Sequence, residues 1–211
     1  MACCATVLVL FFIYSFAVVF TLNFRPLYYA YISATGWHDS VGIPMPEIIA
    51  NYKALIQYNS VFSVAPLDLP TLGLSANGRI HYEEVKRIFA VFQIVLIASV
   101  AGLVPLIVHL LRLGKVKFLK MGGMVSAILA IAILLYLGLD WKRFFVRFHE
   151  TLFDNDFWIF DAAVDPSILI LPNGYFMVCA VMIFALIFGL SATAVLLSRS
   201  LSRRNAILQG R

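Results

Sequence analysis

Residues 88–110 read IFAVFQIVLIASVAGLVPLIVHL, with no Asp, Glu, Lys or Arg among them. A bilayer core takes about 20 helical residues at about 1.5 Å each, so this run spans it with a little to spare. Three more apolar runs of spanning length occupy 5–24, 121–139 and 173–197. The whole chain agrees: of 211 residues 62% are hydrophobic and 13% charged, whereas about half the residues of a water-facing domain are apolar. The fold class this implies is an all-α integral membrane protein with four transmembrane helices, organised as a single membrane domain over 1–211. No basic leader region or small-residue cleavage site marks the first run as a removable signal peptide, so it is expected to stay as a helix.

Outward from the second run, the flanks set the orientation. HLLRLGKVKFLK (109–120) holds Arg112, Lys115, Lys117 and Lys120, and SRSLSRRNAILQGR (198–211) holds Arg199, Arg203, Arg204 and Arg211, with no acid in either. By the positive-inside rule both face the cytoplasm, both termini are cytoplasmic, and 25–87 and 140–172 lie outside. The net charge of +5 is thus a matter of placement and gives no sign of nucleic-acid binding. All 11 acidic residues and three of the four histidines fall in the two external segments.

The first external segment spreads Trp37, Tyr52, Tyr58 and Phe62 among Pro44, Pro46, Pro66 and Pro70. Tyr and Trp favour the membrane interface, so a cap on the lipid surface is expected. Within it PEIIANYKALIQYNS (46–60) places Ile48, Ile49, Tyr52, Leu55 and Ile56 near helical spacing, predicting a short interfacial helix. Ser75, Asn77 and Gly78 form a capping turn that leads into the second spanning helix. His81 then stands above the hydrocarbon, with Glu84 three residues on and on its own face, placed to fix the imidazole tautomer. In the second external segment His149 keeps company with Glu150, Asp154, Asn155, Asp156 and Trp158.

Two external histidines suit proton transfer, because imidazole titrates near neutral pH. The competing readings are bland: histidines bonded at the surface, acids that merely solvate an outer face, and Trp158 as an interface anchor. His38 and His109 are read as structural. A metal site would draw on His81, His149 and nearby acids, but no His-Glu-x-x-His or other tight ligand spacing occurs. No Gly-x-Ser-x-Gly elbow is present, Cys179 lies within an apolar helix, and Cys3 follows no lipobox. No external cysteine pair is available for a disulfide. An enzyme of this kind would take its nucleophile from the substrate. A non-catalytic lipid-binding or accessory subunit of a membrane complex and a metal-dependent membrane hydrolase remain the alternatives.

NYKALIQY (51–58), LPTLGLSANGRIHYEEVKRIF (69–89) and FHETLFDNDFWIFDAAVDPSILILPNGYF (148–176), set among four spanning helices, resemble the lipoprotein intramolecular transacylase (Lit) family of Gram-positive bacteria. The chain departs from the family pattern at Tyr82 and at Ala162 and Ala163. The resemblance implies an acyltransferase of the bacterial cytoplasmic membrane with its active site on the extracytoplasmic face. Its substrate is a diacylglyceryl-modified lipoprotein, whose sn-2 acyl chain moves to its own α-amino group to give the lyso-form. The resemblance places acid and base on the histidines matching His81 and His149, with no cofactor and no metal; which is which stays open, as does the oligomeric state. Glu84, Arg147, Asn155 and Trp158 are the orienting or oxyanion candidates. Membrane lipid is the other expected partner.

The charge segregation predicts that single cysteines at Asp68 and Asp156, in a background without native cysteines, react with an impermeant thiol reagent added to intact cells, while those at Lys117 and Arg203 do not. Labelling of the second pair in sealed cells overturns the orientation.

Overall fold

The computed structural model describes residues 1–138 and 140–208. Leu139, the last residue of the third apolar run, and Arg211 of the basic tail lie outside the described residues. Among the described residues every regular element is helical, and four helices are long and apolar enough to cross a membrane: α1 (Ala2–Asn23), α5 (Ala76–Arg112), α6 (Lys117–Leu137) and α8 (Asn173–Leu208). Shorter elements come between: α2 (Arg25–Thr35), α3 (Trp37–Val41), α4 (Met45–Tyr58), α7 (Trp141–Leu152) and a 3₁₀ turn at Pro166–Ile170. The chain falls into two compact units, one of Met1–Val19, Phe92–Gly138 and Val181–Arg211, the other of Phe20–Val91 and Leu139–Ala180.

The first unit is built from the spanning helices. Ala5, Val9, Ile13 and Ala17 recur every four residues and so form one stripe of α1, which meets Leu103 and Leu110 of α5, Phe118 and Ala130 of α6, and Ile187 of α8. Away from that core the helices remain apolar: Ile128 is 62% exposed and Leu135 78% exposed. Such side chains would be costly in water and fit a hydrocarbon surround, which is the condition that leaves helices as the spanning element. Without a hydrophobic drive between helices in lipid, close packing holds them, and small residues permit it. A Cβ on Gly122 would stand 2.6 Å from Val9 Cγ1, and one on Gly123 2.5 Å from the Ser191 carbonyl oxygen. Between them and the next turn, the Tyr14 hydroxyl donates to the Ser126 carbonyl at 3.0 Å, and Ser198 Oγ donates to the Val116 carbonyl at 2.9 Å.

The second unit is stapled by buried aromatic and polar groups. Helix α1 gives way to α2 at Phe24, where Pro26 occupies the first turn of the new helix. Gly36 and Gly42 end α2 and α3 in the left-handed region, at φ 60° and 69°, conformations that a side chain would strain. The expected helix over 46–60 forms as Met45–Tyr58, with Ile48, Tyr52, Leu55 and Ile56 all buried. Tyr28 stacks on Tyr52 at 3.5 Å between centroids, and both meet Tyr175 edge-on. Their hydroxyls are satisfied: Tyr28 donates to the Ile170 carbonyl at 2.7 Å, and Tyr52 pairs with Tyr175 at 2.9 Å. Trp37 Nε1 donates to the Leu169 carbonyl at 2.7 Å, so α3 and α4 both grip the 3₁₀ turn and its flank.

The start of α5 is fixed from two sides. Ser75 caps it as expected, its Oγ accepting from the Gly78 N–H at 2.9 Å. Asp165, buried, accepts from the Ser75 N–H at 2.7 Å and from its hydroxyl at 2.8 Å. Further along α5, Lys86 Nζ lies 4.2 Å from the Tyr58 ring centroid and donates to the Ser63 carbonyl at 2.7 Å.

Because the Gly123 contact is with backbone, it cannot relax by a rotamer change. Gly123→Ala should cost about 1–3 kcal/mol of stability in detergent, the scale of overpacking, as read by thermal or denaturant unfolding. Gly73→Ala, where a Cβ meets nothing within 4 Å, should be near neutral.

Candidate active site

His81 rides on the first two turns of α5, just beyond the Ser75 cap, and is 6% exposed. His149 sits on the last turn of α7, at the border of the apolar side of WKRFFVRFHETL. That helix starts on Asp140, whose carboxylate accepts from the Arg143 N–H. The structure brings the two imidazoles together, with ring centroids 6.2 Å apart and planes at 34°.

Aromatic rings wall the pair. Phe153 and Phe160 meet His81 edge-on at 4.8 Å and 5.5 Å. Phe145 lies 4.1 Å from the His149 centroid and Trp158 stacks on it at 4.8 Å. Phe145 and Phe153 went unnoticed in the sequence, although they stand four residues before and after His149, the spacing that shares a helix face. Phe160 arrives from the loop and carries no comparable local signal.

Hydrogen bonds fix one imidazole and leave the other open. His149 Nδ1 lies 2.7 Å from the Phe145 carbonyl oxygen. A carbonyl only accepts, so Nδ1 carries the proton and Nε2 keeps its lone pair in the neutral ring. His81 Nδ1 is buried and has no hydrogen-bond partner among the described residues. Burial disfavours the charged ring in both cases. It pushes His81 down to about 4, with His149 adding to the fall. His149 is also held below its ordinary value by burial, opposed by its bond to the Phe145 carbonyl.

Four of the other predicted site residues need separate treatment. Glu84 is near the pair, but its bond is to Asn155: Asn155 Nδ2 donates to Glu84 Oε1 at 2.9 Å, and Asn155 Oδ1 accepts from the Phe157 N–H at 3.0 Å. The second Glu84 oxygen, Oε2, is buried and unpartnered among the described residues. Trp158 stands at the pair through its stack on His149. Arg147 is exposed, and two residues before His149 it lies on another face of α7. Tyr82, the residue at which the chain departs from the family pattern, is buried, donates to Ser167 Oγ at 3.3 Å, and has its phenol pushed up to about 12, chiefly by burial. It remains a proton donor across the neutral range.

Among the described residues no three of His, Cys, Asp and Glu stand together as ligands for one ion. Cys3 and Cys4 are exposed free thiols, and Cys179 packs against the tyrosine cluster of α2 and α4. The arrangement is therefore two desolvated imidazoles, each disfavoured in its charged form, within an aromatic wall.

The sequence model of the family described as lipoprotein intramolecular transacylase Lit matches residues 3–176. The solved structure of the membrane-integral lipoprotein intramolecular transacylase Lit from Bacillus cereus is 35% identical and superposes with a TM-score of 0.92 over 98% of this chain and 96% of that one. Two variants of that protein, in which a histidine is replaced by arginine or by alanine, are 34% identical, with TM-scores of 0.86 and 0.87 over 98% of this chain and 92% and 94% of theirs. No curated protein sequence matches. With the family's sequence model spanning most of the chain and its solved structure superposing on nearly all of it, this chain belongs to the lipoprotein intramolecular transacylase (Lit) family.

Proposed function

We propose that this chain moves the sn-2 acyl chain of a diacylglyceryl-cysteine lipoprotein to the α-amine of the same cysteine, with His149 as base and His81 as acid. The bond from His149 Nδ1 to the Phe145 carbonyl carries the assignment of roles, because it leaves Nε2 as the free lone pair. It also favours the protonated ring, whereas His81 has no such support and is further opposed by its neighbour. A ring that gives its proton up readily suits delivery to the departing glyceryl oxygen. Holding amine and ester in one molecule removes the entropic cost of bringing two substrates together.

The topology that goes with this reading puts 25–87 and 140–172 on the extracytoplasmic side of a bacterial cytoplasmic membrane, with both termini inside. Helix α7 supports a position at the lipid surface. Arg143 and Arg147 lie on its polar side and Trp141, Phe144, Phe148 and Leu152 on its apolar side, with His149 at the border between them.

The test is the purified protein in detergent with a diacyl lipopeptide and no added phospholipid. The N-terminus should become blocked at constant intact mass, with fragmentation placing one acyl chain on the cysteine nitrogen. In the same assay His81→Ala and His149→Ala should each lower turnover by at least about a hundredfold, the effect of losing a general acid or base. A gain of one acyl group, or a strict need for phospholipid as donor, overturns the intramolecular reading; a variant with wild-type turnover removes that histidine from the mechanism.

The depressed histidines also predict a pH dependence of stability. Folding lowers both pKa values, so below the ordinary value near 6.5 the unfolded chain binds more protons than the folded one. Stability is then full above that value and falls as pH drops towards about 4, where folded His81 titrates. The melting temperature in detergent should fall between pH 7 and pH 4.5 more steeply for wild type than for His81→Gln. Equal slopes assign the loss to other groups.

A further inference from the structure

We infer that Glu84 receives the substrate's α-ammonium group, holding it by Oε2 beside the histidine pair. The inference rests on the transacylase reading and adds to it the group that recognises the amine before it reacts.

Glu83 and Glu84 are consecutive, yet the structure treats them differently: Glu83 is exposed, while Glu84 turns into the fold on the face of His81. One Glu84 oxygen is committed, taking the Asn155 Nδ2–H bond at 2.9 Å. The other is buried with no donor, and no Lys, Arg or His nitrogen pairs with the carboxylate among the described residues. A carboxylate oxygen taken out of water without a partner is unfavourable, so the fold keeps it at a cost. The neighbouring imidazoles do not offset that charge, because burial holds both neutral. What remains is a buried acceptor oxygen one helical turn from His81 with no donor to meet it.

The complement of such a place is a compact cation with N–H donors. An α-amino group has a pKa near 7.7–8.0 and enters largely as ammonium at neutral pH. Its N–H bonds meet the free oxygen in a charge-assisted contact. Asn155 then has a defined role: by occupying Oε1 it turns Oε2 towards the amine. It works as a positioning residue, and its amide reaches the reaction only through Glu84.

The probes are two diether lipopeptides, which carry ether links where the substrate has esters and so have nothing to transfer. One has the cysteine α-amine; in the other, the des-amino analogue, hydrogen replaces it. Wild-type protein in detergent at pH 7 should bind the amine-bearing probe at least about tenfold more tightly, the scale of one buried charge-assisted bond. Glu84→Gln keeps the acceptor for Asn155 and removes the charge, so the preference should shrink to within about twofold, with the des-amino probe bound as in wild type. Equal binding of the two probes by wild type overturns the inference without reference to any variant. So does a Glu84→Gln protein that keeps the preference, and so does one that loses affinity for both probes alike, which would leave Glu84 as no more than a prop for Asn155. Turnover of the ester lipopeptide by the same wild-type preparation tests the transacylase reading separately.

Discussion

The carboxylate of Asp165 is buried, at 6% exposure, and both of its oxygens are used on one residue, the N–H and the hydroxyl of Ser75. Through that joint the loop carrying Asn155, Trp158 and Phe160 is tied to the first turn of α5, and α5 carries His81 and Glu84. A carboxylate so buried holds its place because two donors satisfy it; removing the Ser75 hydroxyl would leave one of its oxygens in the interior without a partner. Ser75 is bound on its other side as well, since its hydroxyl oxygen accepts from the Gly78 N–H while its proton goes to Asp165. Gly78 is required at that point, because a Cβ there would run into the Asp165 carboxylate. Three short residues thus fix the direction in which α5 leaves the loop, and with it the placing of His81 and Glu84.

What was legible in the sequence follows from the range of the forces involved. Spanning helices declare themselves in composition, since every stretch crossing hydrocarbon must be apolar and internally hydrogen-bonded. The Ser75 cap is likewise local, as are Pro26 and Pro46 in the first turns of α2 and α4. Helix α4 was expected, because Ile48, Tyr52, Leu55 and Ile56 repeat at helical spacing. Helix α7 has the same periodicity, with Trp141, Phe144, Phe145 and Phe148 opposite Arg143 and Arg147. Its basic and aromatic residues alternate closely along the chain, so the stripe shows only once they are set on a helix. Helix α2, by contrast, gives little warning, since it begins one residue after α1 ends.

The site was legible as residue types and illegible as pairings. His81 and His149 are named by their chemistry and by resemblance, but no spacing rule indicates that their rings stand 6.2 Å apart. Glu84 was expected to orient His81 on the strength of their separation along α5. The hydrogen bond it makes goes to Asn155 instead, 71 residues away, and that partnership depends on how the loop folds over the helix. The same applies to Trp158, whose indole could be an anchor in lipid by composition alone and which stacks on His149 in the fold.

Proton accounting shows why a pair of neutral imidazoles suits the chemistry proposed. Starting from the ammonium, the nitrogen must shed two protons as its bond to the acyl carbon forms and the ester carbon–oxygen bond breaks. One proton leaves for solvent, and the other ends on the glyceryl sn-2 oxygen. A histidine already charged could accept neither, and burial keeps both rings neutral through the neutral range. Once His149 has accepted a proton at Nε2, repulsion between like charges so near one another resists protonation of His81 at the same time. At any moment the pair therefore favours a single proton, moving from where nitrogen gives it up to where oxygen needs it. On the proposed assignment the Phe145 carbonyl gives the order: the proton settles first on the ring whose Nδ1–H is held, and leaves from the ring whose Nδ1 has nothing to hold it.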